Sequence, residues 1–376
     1  MKKILIIHNN YRIIGGEDTS VDNEIKYLQN EYTVDFLLFD NLVTNYFLQF
    51  FYFFINKNLK SMKLLENKIK LFSPDVVYIH NTWFKASLGI FNVLENFEGE
   101  VILKIHNFRY DCTRYFLTKY HLKNNTVCPK CGLTKKDLKI FNRYFTDSIF
   151  KSLIVKIYGK KYFKILKNSK FKLFLLTNFH KRYLKTLGIP SSRLYVVPNQ
   201  IKFEETLSIK HNGDYFLYAG RISKEKGVED LIQAYLMIKN KEKKLKIIGD
   251  GPDYLRLRNK YSSSEIEFIG ELENKEVLEY IKNSSGVVTA TKLYEGQPTL
   301  LCEASANGIV SIFPRTGGIH EFFPKDYQFS FEKNNINDLS LKIEMLASFK
   351  DIIKLGQQNK MFLKDYLSKN EFSNYF

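Results

Sequence analysis

The amino-acid sequence predicts an α/β protein built from two doubly wound parallel-sheet domains that face a cleft. Three observations carry this reading. Short β-branched and aromatic runs recur at spacings that leave room for helices, glycine turns follow many of these runs, and 376 residues exceed what one hydrophobic core organises.

The first series of runs covers residues 3–7, 34–39, 76–80, 101–105 and 173–176. A second series covers 194–197, 215–219, 245–248, 266–269, 286–290 and 309–313. Helical spacing fills gaps between them, as in Val228, Leu231, Tyr235 and Ile238. The boundary falls in residues 198–213, where a proline, asparagines and a glycine interrupt the pattern. The domains are therefore expected at 1–197 and 198–376, with the last helix free to cross back to the first domain. No short-period repeat is visible.

Composition narrows the class. With 44% hydrophobic and 26% charged residues, the chain is globular. The start is too short in apolar residues for a signal peptide, and the apolar window 46–55 is about half the ~20 residues that cross a bilayer. Four cysteines without an export signal point to reduced thiols, so a cytoplasmic location is expected. The net charge of +17 calls for anionic partners: nucleic acid, anionic membrane or phosphorylated small molecules. Much of it is local, because residues 135–172 hold twelve Lys or Arg against Asp137 and Asp147.

The candidate chemistry lies in the second half. Gly220, Arg221 and then Lys226-Gly227 follow one strand and precede a helix, a turn that aims backbone N–H groups and two cations at one point and so suits a diphosphate. A glycine turn with solvated lysines is the alternative. Glu295 and Glu303 bracket Gly296, Gln297, Pro298 and Thr299. A helix from Thr299, with Pro298 near its first turn, places Glu295 in the preceding loop and Glu303 about one turn inside. Carboxylates that accept paired hydrogen bonds suit vicinal sugar hydroxyls. Gly249-Asp250-Gly251-Pro252 and Gly317-Gly318-Ile319-His320-Glu321 are further turns after strands, where open α/β sheets hold ligands.

In the first half, Gly15-Gly16-Glu17-Asp18 ends the loop after the first strand and opens a helix with Val21, Ile25 and Leu28 in register; backbone can approach a phosphate there. His80 and His106 end their strands. Cys128-Pro129-Lys130-Cys131 has zinc-knuckle spacing, with Cys112 nearby and His106 or His121 as a fourth ligand; free thiols are the other reading. From Ile140 onward, Tyr144, Ile149, Leu153, Ile157 and Tyr162 alternate with lysines as in a helix that lies on an anionic membrane, or one packed on a core with a solvated lysine face. The aromatic run 46–54 is a second candidate contact.

This ordered set resembles the family-4 retaining glycosyltransferases of the GT-B fold, with two Rossmann-like domains, and within them the bacterial surface-polysaccharide, O-antigen and capsule type with Gly-Gly-Glu-Asp near the N-terminus. The resemblance implies a nucleotide-sugar donor, UDP- or GDP-linked or similar, and a saccharide or lipid-linked saccharide acceptor. It assigns Arg221 and Lys226 to the diphosphate, Glu303 to the ribose, Glu295 to the donor sugar and His106 to the neighbourhood of the transferred sugar. No cofactor, metal or nucleic acid is expected, since no Asp-x-Asp or nucleic-acid motif is present. A sugar-nucleotide epimerase of the same fold and a non-catalytic sugar-nucleotide-binding subunit are the alternatives. His320, Asn307 and the Asn199-Gln200 step depart from the family pattern.

Overall fold

The computed structural model describes residues 1–10, 16–40, 51–52, 54–83, 85–108, 122, 125–128, 130–135, 148–203, 213–239 and 241–375. The chain divides into two compact units, Met1–Gln200 and Ile201–Phe376.

In the first unit, β1 (Lys3–Asn9), β2 (Thr33–Phe39), β3 (Val76–Ile79), β4 (Glu100–Ile105), β5 (Lys172–Leu175) and β6 (Leu194–Val196) form a sheet of order β2-β1-β3-β4-β5-β6. Every pairing is parallel; Ile4, for example, lies opposite Val34 on one side and Val76 on the other. Such strands are covered on both faces, which is why β1 and β3 read as unbroken apolar runs and are buried throughout except at Lys3. The edge strand β2 instead leaves Phe36 and Leu38 exposed. Helices α1 (Gly16–Leu28), α2 (Leu59–Phe72), α3 (Ile90–Leu94), α4 (Ile149–Asn168) and α5 (Asn178–Thr186) fill the connections. Asn58 starts α2 by accepting the N–H groups of Lys60 and Ser61, and Thr177 starts α5 by accepting that of His180.

The second unit repeats the plan with β7 (Tyr215–Ala219), β8 (Lys244–Ile248), β9 (Ile266–Gly270), β10 (Gly286–Val288), β11 (Ser311–Pro314) and β12 (Ser330–Phe331), all parallel, in the order β12-β11-β10-β7-β8-β9. Its helices are α6 (Val228–Leu236), α7 (Tyr254–Tyr261), α8 (Asn274–Lys282), α9 (Thr299–Ala306), α10 (Ile336–Ala347) and α11 (Ile352–Ser368). One continuous apolar core runs from Tyr215 to Leu367.

Two strand expectations need correction. The run 194–197, grouped with the second series, is β6 and pairs with β5 in the first sheet. A strand of two residues, β12, carries no sequence period and was not anticipated. In each sheet the order reverses once, between β1 and β3 and between β7 and β10, and loops leaving the carboxyl ends on either side of such a reversal diverge to open a crevice.

Candidate active site

The reversal in the second sheet gathers most of the residues singled out in that half. The loop leaving β7 carries Gly220, Arg221 and a single 3-10 turn, Lys224–Lys226, before α6. The sequence placed the helix directly after the loop. The extra turn forms because Gly227 takes a left-handed conformation (φ 70°), and the Lys226 and Gly227 N–H groups close back on Ser223 and Lys224. Gly227 has no room for a side chain, since a Cβ there would lie 2.0 Å from the Ala290 carbonyl oxygen. Next door, Gly249 and Gly251 let the loop after β8 run against the β7 loop. A Cβ on either would meet the carbonyl oxygen of Gly220 or Ile222 at 2.1 and 2.3 Å. Three backbone hydrogen bonds lock the two loops: Gly220 N–H to Ile248, Ile222 N–H to Asp250, and Asp253 N–H to Ile222. Pro252 sits in the turn that leads into α7.

The carboxylates arrive from the other side of the reversal, after β10. Lys226 Nζ lies 2.7 Å from Glu295 Oε1, which also accepts from Thr291 Oγ1 at 2.7 Å. Gly317 (φ 57°) folds against the backbone of Glu295, and the Gly318 N–H donates to the Glu295 carbonyl. Gly296 and Gln297 are buried, Pro298 caps α9, and Thr299 opens it. Glu303, the fifth residue of α9, accepts from Asn274 Nδ2 at 3.1 Å. Burial raises its carboxyl group's pKa, and the Asn274 bond opposes the rise. Asn307 donates its side-chain amide to the Glu303 carbonyl at the end of α9. Arg221 is exposed and forms no ion pair among the described residues. The result is a cation, a paired cation and carboxylate, a second carboxylate and two glycine loops around one sheet crevice.

In the first unit, Gly16 opens α1, while Gly15 lies outside the described residues. His106 follows β4, and its Nε2 lies 3.1 Å from His80 Nδ1 with the rings stacked at 5.4 Å. Burial drives both imidazoles well below the ordinary histidine range, and neighbouring cationic groups reinforce this. Behind them the sequence reading missed a buried ion pair. Lys104 Nζ, fully buried within β4, lies 2.9 and 3.0 Å from the two carboxylate oxygens of Glu24 on α1, and Tyr78 donates its hydroxyl to the same carboxylate at 2.9 Å. A lysine inside the run 101–105 was the available signal, because a central parallel strand takes a charge only with a partner.

Helix α4 starts at Ile149; the expected positions from Ile140 to Tyr144 lie outside the described residues. Ser152, Val155, Tyr158 and Leu166 are buried, while Leu153 of the apolar stripe is exposed and Ile157 half-buried. Ile149, Phe150 (80% exposed) and Leu153 are exposed. Of the aromatic run 46–54, Phe51, Tyr52 and Phe54 are described; Phe51 and Phe54 are exposed and Tyr52 half-buried. Cys128 and Cys131 are buried on a short turn closed by the Val127–Thr134 bridge; Cys112 and His121 lie outside the described residues. Among the described residues no group of three or more metal-ligating side chains gathers, and no helix is long and apolar enough to cross a membrane.

Residues 199–359 match the glycosyl transferases group 1 family. The amylovoran biosynthesis glycosyltransferase AmsD of Erwinia amylovora is 29% identical over 166 residues, covering 41% of this chain and 47% of that protein, so the match spans about half of the relative's length. Solved structures with the same fold include the lipopolysaccharide outer core galactosyltransferase WaaB (TM-score 0.62, 16% identity, 99% of both chains). Sucrose-phosphate synthase from Thermosynechococcus elongatus superposes at TM-score 0.71 with 14% identity over 98% of this chain and 95% of that one. HepE of Anabaena, in complex with UDP-glucose, gives 0.67 with 12% identity over 100% and 97%. The chain has the GT-B fold, and its residues 199–359, which hold the Gly220 to Gly227 loop and both glutamates, match the glycosyl transferases group 1 family.

Proposed function

We propose that the protein is a retaining glycosyltransferase that moves a sugar from a nucleotide-diphosphate sugar to a hydroxyl of a growing polysaccharide or lipid-linked oligosaccharide. The observation that carries this is the convergence of Arg221, Lys226, Glu295 and Glu303 on the crevice at the β7/β10 reversal, with the Gly249–Gly251 loop packed alongside. That Anabaena HepE is solved with UDP-glucose supports a nucleotide-sugar donor.

In the reaction the bond from C1 of the sugar to the diphosphate oxygen breaks and the bond from C1 to the acceptor oxygen forms. The acceptor proton passes to the departing phosphate. Negative charge grows on the leaving diphosphate, so groups that hold it more strongly at that moment speed the step. Arg221 supplies a planar fork and Lys226 a point charge. Lys226 exchanges its Glu295 partner for phosphate when donor enters, which frees the Glu295 carboxylate for sugar hydroxyls. Glu303 takes the ribose hydroxyls. Protein cations perform the charge neutralisation here, and metal-independent transfer follows from that reading.

The acceptor reading rests on the basic run at residues 135–172 and on exposed Ile149, Phe150 and Leu153 at the start of α4, which together fit an anionic membrane surface at the cytoplasmic face. Flotation with anionic but not neutral vesicles is the expected result; equal behaviour with both removes the membrane from the account. Transfer itself is tested by incubation with a panel of nucleotide sugars and saccharide acceptors. Release of nucleoside diphosphate with a lengthened acceptor supports it, whereas an isomerised donor sugar with no acceptor consumed identifies an epimerase.

A further inference from the structure

The first unit contains a chain of polar contacts that the proposed mechanism does not use, running from α1 through the central strands to His106. Glu24 sits on α1, with 2% of its side chain exposed, and its carboxylate accepts three hydrogen bonds: one from the Tyr78 hydroxyl on Oε1 and one from Lys104 Nζ on each oxygen. The remaining Lys104 hydrogen faces the Pro198 carbonyl at 3.5 Å. His80 Nε2 lies 3.8 Å from Glu24 Oε2 and is buried without a hydrogen-bond partner, and the other side of the same ring meets His106 Nε2. His8, itself on Asp18 at 2.9 Å, stands edge-on to His80 with ring centroids 6.1 Å apart.

The His80 and His106 imidazoles, held well below the ordinary histidine range by desolvation, are neutral, so each carries one hydrogen. Two arrangements are open. If His80 held its hydrogen on Nδ1, its Nε2 lone pair would face a carboxylate in a site where the Tyr78 and Lys104 hydrogens are already committed elsewhere. Two acceptors opposed in a buried site are unfavourable. If His80 holds its hydrogen on Nε2, that N–H points toward the Glu24 charge, and Nδ1 becomes an acceptor. His106 must then donate from Nε2, which leaves its Nδ1 with a lone pair.

We infer that Glu24 and His80 are positioning residues that fix the tautomer of His106, so that His106 offers Nδ1 as a hydrogen-bond acceptor, and not a donor, to a sugar hydroxyl. Rings of this kind take their tautomer from the partner on the far nitrogen. His106 lines a recess of the first unit together with Thr82, Trp83, Asn107 and Tyr158, a mixed polar and aromatic wall suited to a sugar. The hydroxyl partner rests on the transferase reading; the tautomer does not.

The test is imidazole 15N NMR of the full chain, with His106 assigned by its loss in His106→Gln. The expected wild-type spectrum shows a protonated Nε2 and a bare Nδ1 on His106. A protonated Nδ1 overturns the inference. In the charge-balanced double variant Glu24→Gln/Lys104→Met, the introduced amide can donate to His80, so the His106 hydrogen moves toward Nδ1; an unchanged spectrum in a folded variant also overturns it. Where that variant does not fold, the wild-type spectrum decides. In the transfer assay the folded double variant should lose about tenfold or more in kcat. A wild-type protein with the expected spectrum and no transfer activity leaves the tautomer standing and removes the transferase reading.

Discussion

Acidification should unfold the first unit through three buried imidazoles. Burial lowers His180 from the ordinary histidine value to about 3, and it holds His80 and His106 well below that ordinary value. A base whose folded pKa is depressed binds its proton more readily in the unfolded chain. Its stability contribution is therefore complete above pH ~6.5 and falls by ~1.4 kcal/mol per pH unit below that, until the folded group itself protonates. Between pH 7.5 and 5.0 the loss is about 2 kcal/mol for the His180 ring, and His80 and His106 act in the same direction, against the ~5–15 kcal/mol that holds a domain folded. The lone tryptophan, Trp83, lies in the first unit and packs edge-on against Tyr158, so its fluorescence follows this unit during urea unfolding. The midpoint should fall steeply below pH 6.5. His180→Phe, whose ring would rest on Phe108 where the imidazole now sits at 4.3 Å, should make the slope shallower. A midpoint that is the same at pH 7.5 and 5.0, or a variant with the wild-type slope, refutes the reasoning.

Other expectations concern the second unit. Gly227→Val combines a left-handed backbone with a Cβ 2.0 Å from the Ala290 carbonyl oxygen. It should destabilise the second unit by about 2 kcal/mol or more, read from its unfolding midpoint. Glu303 carries a carboxyl group whose pKa burial raises, so ionising it opposes folding at neutral pH. Glu303→Gln should therefore raise the melting temperature of the unliganded protein while weakening nucleotide binding. In the wild type, binding should weaken on acidification at a higher pH than an ordinary carboxylate would give, because protonation removes an acceptor for the ribose hydroxyls; calorimetric titration from pH 7.5 to 5.0 measures this, and Glu303→Gln should be flat.

The periodicity was legible where one physical cause dominates. Strands β1 and β3 are covered on both faces and are dominated by Val, Ile and Leu. The turn glycines at 220, 227, 249 and 251 mark places where two backbones meet, and only the structure shows that these loops lean on one another. What the sequence could not show was pairing at a distance. Lys104 looks out of place in an apolar strand until Glu24, 80 residues earlier, is seen to hold it. Leu194 to Val196 has no feature that assigns it to either sheet; pairing with β5 decides. In the lysine-rich stretch amphipathicity left two readings open, and the structure shows Tyr158 buried and hydrogen-bonded to Thr82 at 2.6 Å while Leu153 is exposed. The contact between Lys226 and Glu295, 69 residues apart, joins two positions that were read separately.

The measurement that tests the central claim most directly is a thermal-shift screen of the purified protein against UDP, GDP, ADP and CMP, repeated on Lys226→Ala and Glu303→Ala. A ligand at a hundred times its dissociation constant stabilises the folded state by ~2.7 kcal/mol. The account predicts that one diphosphate stabilises the wild type and that both variants lose the shift. Stabilisation by DNA or RNA with no response to any nucleotide, or variants that respond as the wild type does, would contradict it.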